Sequence, residues 1–271
     1  MSALEMPRRN QSMKNALLRM AAVALLACAV ILAPLHAVDK NEVIQKARSS
    51  YYVLTTQGMK SFECTAEPNW KALIETTLKD RVPPDSANAK LLSQLKFSVL
   101  LNESGVATVT PFMPAGATLD SALDGIIGGI KQMIEGYYQA WTAIVFTNPL
   151  PEPNSDFTLV EDGDLYRINQ KDASGEYETV LNRSYAITEV TSNMKDTKIV
   201  MHPRFAQTEK GFLLVSLDGS VNDGQQLINV LVQYTDVQGF RLPSNATYRV
   251  QFSNQDVHVE VEFSGYNVTK K

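Results

Sequence analysis

A chain of 271 residues, 44% hydrophobic and 20% charged, can bury a sizeable core and has neither a disordered nor a fibrous composition. Its net charge of −4 lacks the basic balance that nucleic acid or an anionic membrane surface would call for. Two cysteines, Cys28 and Cys64, exclude a disulfide-stapled scaffold.

Residues 1–37 read as a secretory signal peptide. Arg8, Arg9, Lys14 and Arg19 precede an apolar run, MAAVALLACAVILAPLHA, that closes on the small residue Ala37. The run is short for a membrane span and contains Pro34. The segment carries a net +3, so its removal leaves a chain from Val38 at −7. A competing reading is a bacterial lipobox, LLAC, that would lipidate Cys28 and anchor the protein. The apolar stretch AVILAPLHAV after Cys28 argues against it. Cys64 then remains as the single thiol and reads as a small buried apolar residue. Residues 38–271 suit one β-rich domain.

Asp39, with Glu42 three positions on, opens a helix in the manner of a capping box. Val43, Ile44, Ala47, Tyr51 and Leu54 recur at helical spacing, and Gly58 stops it. In SFECTAEP, Phe62, Cys64 and Ala66 share one face of a short strand. NWKALIETTLKD reads as a helix capped by Asn69, and SANAKLLSQL as another after the break VPPDS. KFSVLL and VATVTPF flank NESG as a hairpin.

The most periodic segment follows. Leu119, Ala122, Leu123, Ile126, Ile127, Ile130, Met133, Ile134, Tyr137, Tyr138, Trp141, Ile144 and Val145 form one helical stripe over 118–145, capped by Thr118. Gly125, Gly128, Gly129 and Gly136 each cost the helix about 1 kcal/mol relative to Ala. Their expected return is bending or close approach to a neighbour.

NPLPEPNSD ends that helix, and from Phe157 onward the chain reads as strand and turn, an antiparallel meander of about ten strands. Ile228, Val230, Val232, Tyr234, Tyr248, Val250, Phe252, Val257, Val259, Val261 and Phe263 make an apolar face. Arg249, Gln251, His258, Glu260 and Glu262 make a wet one. The expected fold class is α+β, a curved antiparallel sheet forming an unclosed half-barrel, with the helices at 39–56 and 118–145 covering its apolar face.

Chemistry is sparse. After cleavage only His202 and His258 remain, both within strand patterns. No His-x-x-x-His, Cys-x-x-Cys, nucleophile elbow or phosphate loop is present. EDGD at 161–164 reads as a hairpin turn rather than a calcium loop, and GIIGGI at 125–130 as helix packing. Asn102, Asn182, Asn245 and Asn267 begin N-x-[ST] triplets of a kind that arises by chance. No metal, cofactor or catalytic residue is expected. A sheet with one apolar face beneath an aromatic helix suits an apolar ligand, and each buried acyl CH₂ contributes about 0.8 kcal/mol. Ile130, Ile134, Tyr137 and Trp141 are the candidate ligand-binding residues on the helix. Leu214, Val230, Val232, Val250 and Phe252 are their counterparts on the sheet. Two other readings stand beside this one. The protein could be a structural or interaction protein of the cell envelope with a permanently filled core, or a secreted hydrolase with carboxylates assembled in space.

Several segments fall in a familiar order. A signal peptide leads at once into NEVIQKARSSYYVLTTQG, then MKSFECTAE. Near the end, VLVQYTDVQGFRLPSNATYRV contains a G-x-x-L-P turn at Gly239, Leu242 and Pro243, and HVEVEFSGYNV closes the chain. This arrangement resembles the periplasmic lipoprotein-carrier family (LolA-like). The resemblance implies an unclosed antiparallel barrel covered by helices, with an apolar cavity that receives acyl chains. It also implies a periplasmic or secreted, non-enzymatic carrier whose partners are lipid or an acylated lipoprotein, with an envelope protein as a further partner and no nucleic acid. No residue role is carried over from it. The exported species should begin at or near Val38. Its intact mass tests this, and an acylated N-terminus at Cys28 would overturn it.

Overall fold

The computed structural model describes residues 39–113, 116, 121–253 and 255–271. The signal peptide, the lipidation reading of Cys28, and Thr118 and Leu119 of the helical stripe lie outside the described residues. Lys40–Lys271 forms one unit.

Helix α1 spans Lys40–Ser49 and strand β1 Met59–Pro68. Helix α2, Trp70–Leu73, runs into a π-helical turn over Ile74–Leu78, and α3 spans Ala87–Leu92. Strands β2 (Lys96–Leu101) and β3 (Ala107–Phe112) form the expected hairpin. The long helix α4 covers Ser121–Trp141 and ends in a π-helical turn over Thr142–Phe146. The meander follows as β4 (Thr158–Asp162), β5 (Leu165–Lys171), β6 (Glu176–Asn182), β7 (Ile187–Met194) and β8 (Thr197–Thr208). It ends with β9 (Gly211–Val221), β10 (Gln226–Val237), β11 (Phe240–Phe252) and β12 (Gln255–Lys270).

All twelve strands join one antiparallel, curved sheet in the order β3-β2-β1-β12-β11-β10-β9-β8-β7-β6-β5-β4. β3 and β4 are its two edges, so the sheet is not closed. Neighbours in sequence pair as hairpins throughout the meander, and β1 pairs with the last strand, Phe62 opposite Val268 and Ala66 opposite Phe263, with the β2–β3 hairpin on its other side. The connection from β3 to β4 therefore runs from one edge to the other, and α4 is its body. The stripe read from the sequence is the face it buries: Leu123, Ile127, Ile130, Ile134, Tyr137, Tyr138 and Trp141.

Local chemistry sets the caps and turns. Asn69 Oδ1 accepts from Ala72 N at 3.1 Å, as the N-cap reading expects. Ser86 does the same for α3. Asn102 and Asn182, the start of two of the N-x-Ser triplets, serve as turn formers. Asn102 Oδ1 accepts from the backbone N–H of Ser104 and Val106, and Asn182 Oδ1 from Ser184 and Ala186. EDGD is the turn between β4 and β5, with Asp162 opposite Leu165. Glu161 pairs with Arg183 at 2.8 Å and Asp162 with Arg167 at 2.9 Å.

Two expectations need correction. The first helix stops at Ser49 rather than reaching Leu54 and Gly58. Tyr51 and Leu54 are buried, as the spacing implied, but by tertiary contacts of non-helical chain. Tyr52 N donates to Phe212 O at 3.0 Å, Phe212 N to Ser50 O at 2.7 Å, and Leu54 N to Val145 O at 2.9 Å. Helix continuation would forfeit these bonds to β9 and to the end of α4. The G-x-x-L-P segment is also not a turn throughout. Only Gln238 and Gly239 turn, both at positive φ, whereas Leu242 and Pro243 lie inside β11. Pro243 sits opposite Tyr234, beside the register shift between Gln233 and Tyr234, where a missing N–H is tolerated.

The glycines divide into two kinds. At Gly125, Gly128, Gly129 and Gly136 an added Cβ would meet nothing within 4 Å, so close approach to a neighbour does not explain them. At Gly211 the backbone is left-handed (φ +113°), and a Cβ would lie 2.6 Å from Ser50 O. We expect Gly211→Ala to lose about 1–3 kcal/mol of stability, and Gly129→Ala to gain about 0.5–1 kcal/mol, both read from urea unfolding.

Candidate functional site

The register of the sheet turns the candidate residues into rows. Leu217, Val230, Tyr248 and Val259 stand side by side across β9 to β12. Val232, Ala246 and Val261 make the next row toward the β10–β11 turn. Both rows are buried beneath α4. In the other direction, toward the β9–β10 turn, lies the row Met201, Gly219, Ile228, Val250 and Val257. Every member of that row is only half-buried. Beyond it come Ile199, Val221, Gln226, Phe252 and Gln255, and Phe252 is 40% exposed. Burial fades row by row along the strands.

The helix has a matching flank. Ile126, Met133 and Ala140, spaced seven apart, are half-buried against the core. On a helical wheel they fall beside Ile130 and Tyr137, away from Ile127 and Tyr138. Tyr137 meets Tyr248 edge-on, ring centroids 5.6 Å apart at 85°, and stacks on Phe263 at 5.7 Å. Tyr138 turns the other way, toward Phe62 of β1. The flank carrying Ile126 and Met133 is thus a half-buried margin of the helix that packs against the same core as the half-buried row of the sheet. That row, Met201, Ile228, Val250 and Val257, is an apolar strip partly open to solvent.

The candidate ligand residues fall into three groups against this geometry. Ile130, Tyr137, Val230 and Val250 border or underlie the strip. Ile134 (0% exposed) and Trp141 (1% exposed) are sealed in the interior, with Leu214 and Val232 buried in the same cluster. Trp141 Nε1 donates to Tyr234 Oη at 3.0 Å. Its ring meets Phe62 and Tyr138. Phe252 stands at the outer end, in a shallow surface depression with Gly224, Gln225, Ser253 and Asp256. A second depression, lined by Asp156, Thr158, Gln170, Glu176, Tyr177 and Asn193 among others, is polar and lies at the β4–β7 end of the sheet. Ile228, Val257, Ile126 and Met133 were visible in the sequence only as members of apolar stripes. Nothing local marks them as the exposed margin of the interface.

Polar groups under the helix are mostly paired. Cys64 Sγ lies 3.5 Å from Tyr138 Oη, and burial pushes the thiol up to about 11. Tyr266 Oη donates to Pro243 O at 2.6 Å. Tyr52 Oη accepts from Arg241 N at 2.9 Å. No charged side chain among the described residues is buried.

The histidines lie on the wet face. His202 Nδ1 is 3.3 Å from Thr188 O, and His258 Nε2 is 3.3 Å from Asp256 Oδ1. Both side chains are exposed. The hydrogen bond and charge of Arg249, 2.8 Å away, hold the Asp256 carboxyl down at about 2. Among the described residues, no group of three or more His, Cys, Asp or Glu side chains is placed to hold a metal ion. No described helix is long and apolar enough to cross a membrane.

No protein-family model and no curated protein matches the chain. Among solved structures, a LolA superfamily protein from Nitrosomonas europaea aligns over 87% of this chain and 96% of its own, at 11% identity and a TM-score of 0.31.

Trp141→Ala should cost about 3–5 kcal/mol in urea unfolding, the range for a large aromatic removed from a sealed core. Val250→Ala, on the half-buried row, should cost no more than about 1 kcal/mol.

Proposed function

We propose that this protein is a non-enzymatic binder of acyl-chain lipid that holds its ligand along the apolar strip between α4 and the outer rows of the sheet. The supporting observation is the half-buried row Met201, Ile228, Val250 and Val257, with the half-buried helix residues Ile126 and Met133 against the same core. Apolar side chains left half-exposed along a continuous seam lose much of the roughly 25 cal/mol per Å² that full burial contributes. An acyl chain laid along the seam recovers it. The sealed interior around Ile134 and Trp141 is the floor on which the ligand lies, so ligand entry requires no displacement of those two side chains.

In this reading the protein works outside the cytoplasm, in the periplasm or secreted, and its ligand is free lipid or the acyl chains of a lipoprotein. The opposing reading, a structural envelope protein with a permanently filled core, draws on the complete burial of Trp141 and Tyr138.

The two readings separate on binding. Purified protein is titrated with N-phenyl-1-naphthylamine, a neutral apolar fluorophore, and protein taken from cells is examined by native mass spectrometry for co-purified lipid. Saturable probe binding is expected. Val250→Trp, which fills the strip, should lower probe affinity at least tenfold while leaving the urea midpoint unchanged. A parent protein that binds no probe and carries no lipid would favour the filled-core reading.

A further inference from the structure

One position in the half-buried row has no side chain. Read across the sheet from β7 to β12, the row runs Val190, Met201, Gly219, Ile228, Val250, Val257. All six are half-buried. Gly219 alternates with Leu217 and Val221 on β9, so a side chain there would join the apolar face. The nearest side-chain atom to an added Cβ is Met201 Cγ, at 3.7 Å, from the same row. Glycine therefore leaves a gap in the row, walled by Met201 and Ile228 on strands about 9.6 Å apart. Neither backbone nor packing demands glycine here. Gly219 is not among the residues at positive φ, and an added Cβ would meet no atom closer than 3.5 Å. Pairing with β10 runs in register through it, and the register shift in the β8–β9 pairing falls between Arg204 and Phe205, so no bulge accounts for it. A glycine inside a strand costs entropy and packing, and a β-branched residue suits such a place better. What remains is a bend in the sheet or a close approach by a ligand.

We infer that the gap at Gly219 is a shape-selecting notch that seats the bend of a non-linear chain, as a cis double bond makes one. This rests on the strip being the lipid site and adds the residue that sets which chains it prefers. Two row positions lie on one side of the gap and three on the other, so a chain laid along the row brings its middle to the notch. A straight chain bridges the notch and leaves it empty, forfeiting contacts on that side. A bent chain puts methylene groups into it, and each methylene buried is worth about fourfold in affinity. The half-buried state of Gly219 leaves the notch open to an arriving ligand. Its Met201 wall is an unbranched, adaptable side chain that can follow the shape of what enters.

Oleate and elaidate share one formula and one charge, and differ only in a central double bond that bends the first chain and leaves the second straight. Each is used, below the concentration at which it aggregates, to displace N-phenyl-1-naphthylamine from the parent, Gly219→Ala and Gly219→Val. The ratio of the two competitors within each protein is the readout, so a change in probe affinity cancels. The parent should favour oleate by about fourfold or more. Gly219→Val should bring the ratio close to one, with Gly219→Ala between, while the urea midpoints of both variants hold or rise. A parent that treats the two isomers alike would overturn the notch and leave the strip intact, as would a preference for oleate that survives in Gly219→Val. Lower urea midpoints in both variants with an unchanged ratio would assign Gly219 to the bending of the sheet. A parent that fails to bind the probe would remove the strip and the notch together.

Discussion

The organisation of this molecule depends on one connection. β3 and β4 are consecutive strands placed at opposite edges of a twelve-stranded sheet. Twelve strands spaced about 4.8 Å apart would span about 50 Å if laid flat. The connection between them holds a helix of 21 residues and a 5-residue π turn. The apolar stripe of α4 and the apolar face of the sheet then cover one another, and the chain needs no second layer on the wet side.

Cover of the sheet is uneven. The rows through Val230 and Val232 are sealed, and those toward the β9–β10 turn are progressively open. At the other end, Leu54 and Thr55 donate backbone N–H groups to Val145 O and Phe146 O, satisfying carbonyls that a helix end leaves bare. α4 is thus pinned by its C-terminal turn. Its N-terminal half carries Gly125, Gly128 and Gly129, whose added Cβ atoms would meet nothing. The half of the helix with the weaker intrinsic propensity is the half remote from the pin.

Much of this was readable from alternation and spacing. The period-2 pattern placed β10, β11 and β12 with the correct faces, because one side of each strand is dry and the other wet. The period of α4 named its buried face. What the pattern could not supply was relative placement. Tyr51 and Leu54 fit a helix by spacing, yet backbone bonds to Phe212 and Val145 pull that segment straight. Ile134 and Ile126 look alike in the sequence, yet one is core and the other margin. Val232 and Val250 belong to the same alternating face, yet one is buried and the other half-buried. Whether a buried tyrosine hydroxyl finds a partner is likewise a property of three-dimensional neighbours. Tyr138 has one in Cys64, 74 positions away, and the adjacent Tyr137 has none.

The pairing of β1 with β12 sets an order on assembly. β1 begins at Met59 and its partner ends at Lys270, so these adjacent strands come from nearly opposite ends of the chain. β1, β2 and β3 have no place in the sheet until the last strand exists. A chain made from its N-terminus must therefore carry Phe62, Cys64 and Ala66 without their long-range partner until β12 has been made. Closing so long a loop makes pairing slow. The sheet gains its final shape only when β12 is in place, because the register from Met59 opposite Lys270 to Pro68 opposite Val261 is the seam that joins its two halves.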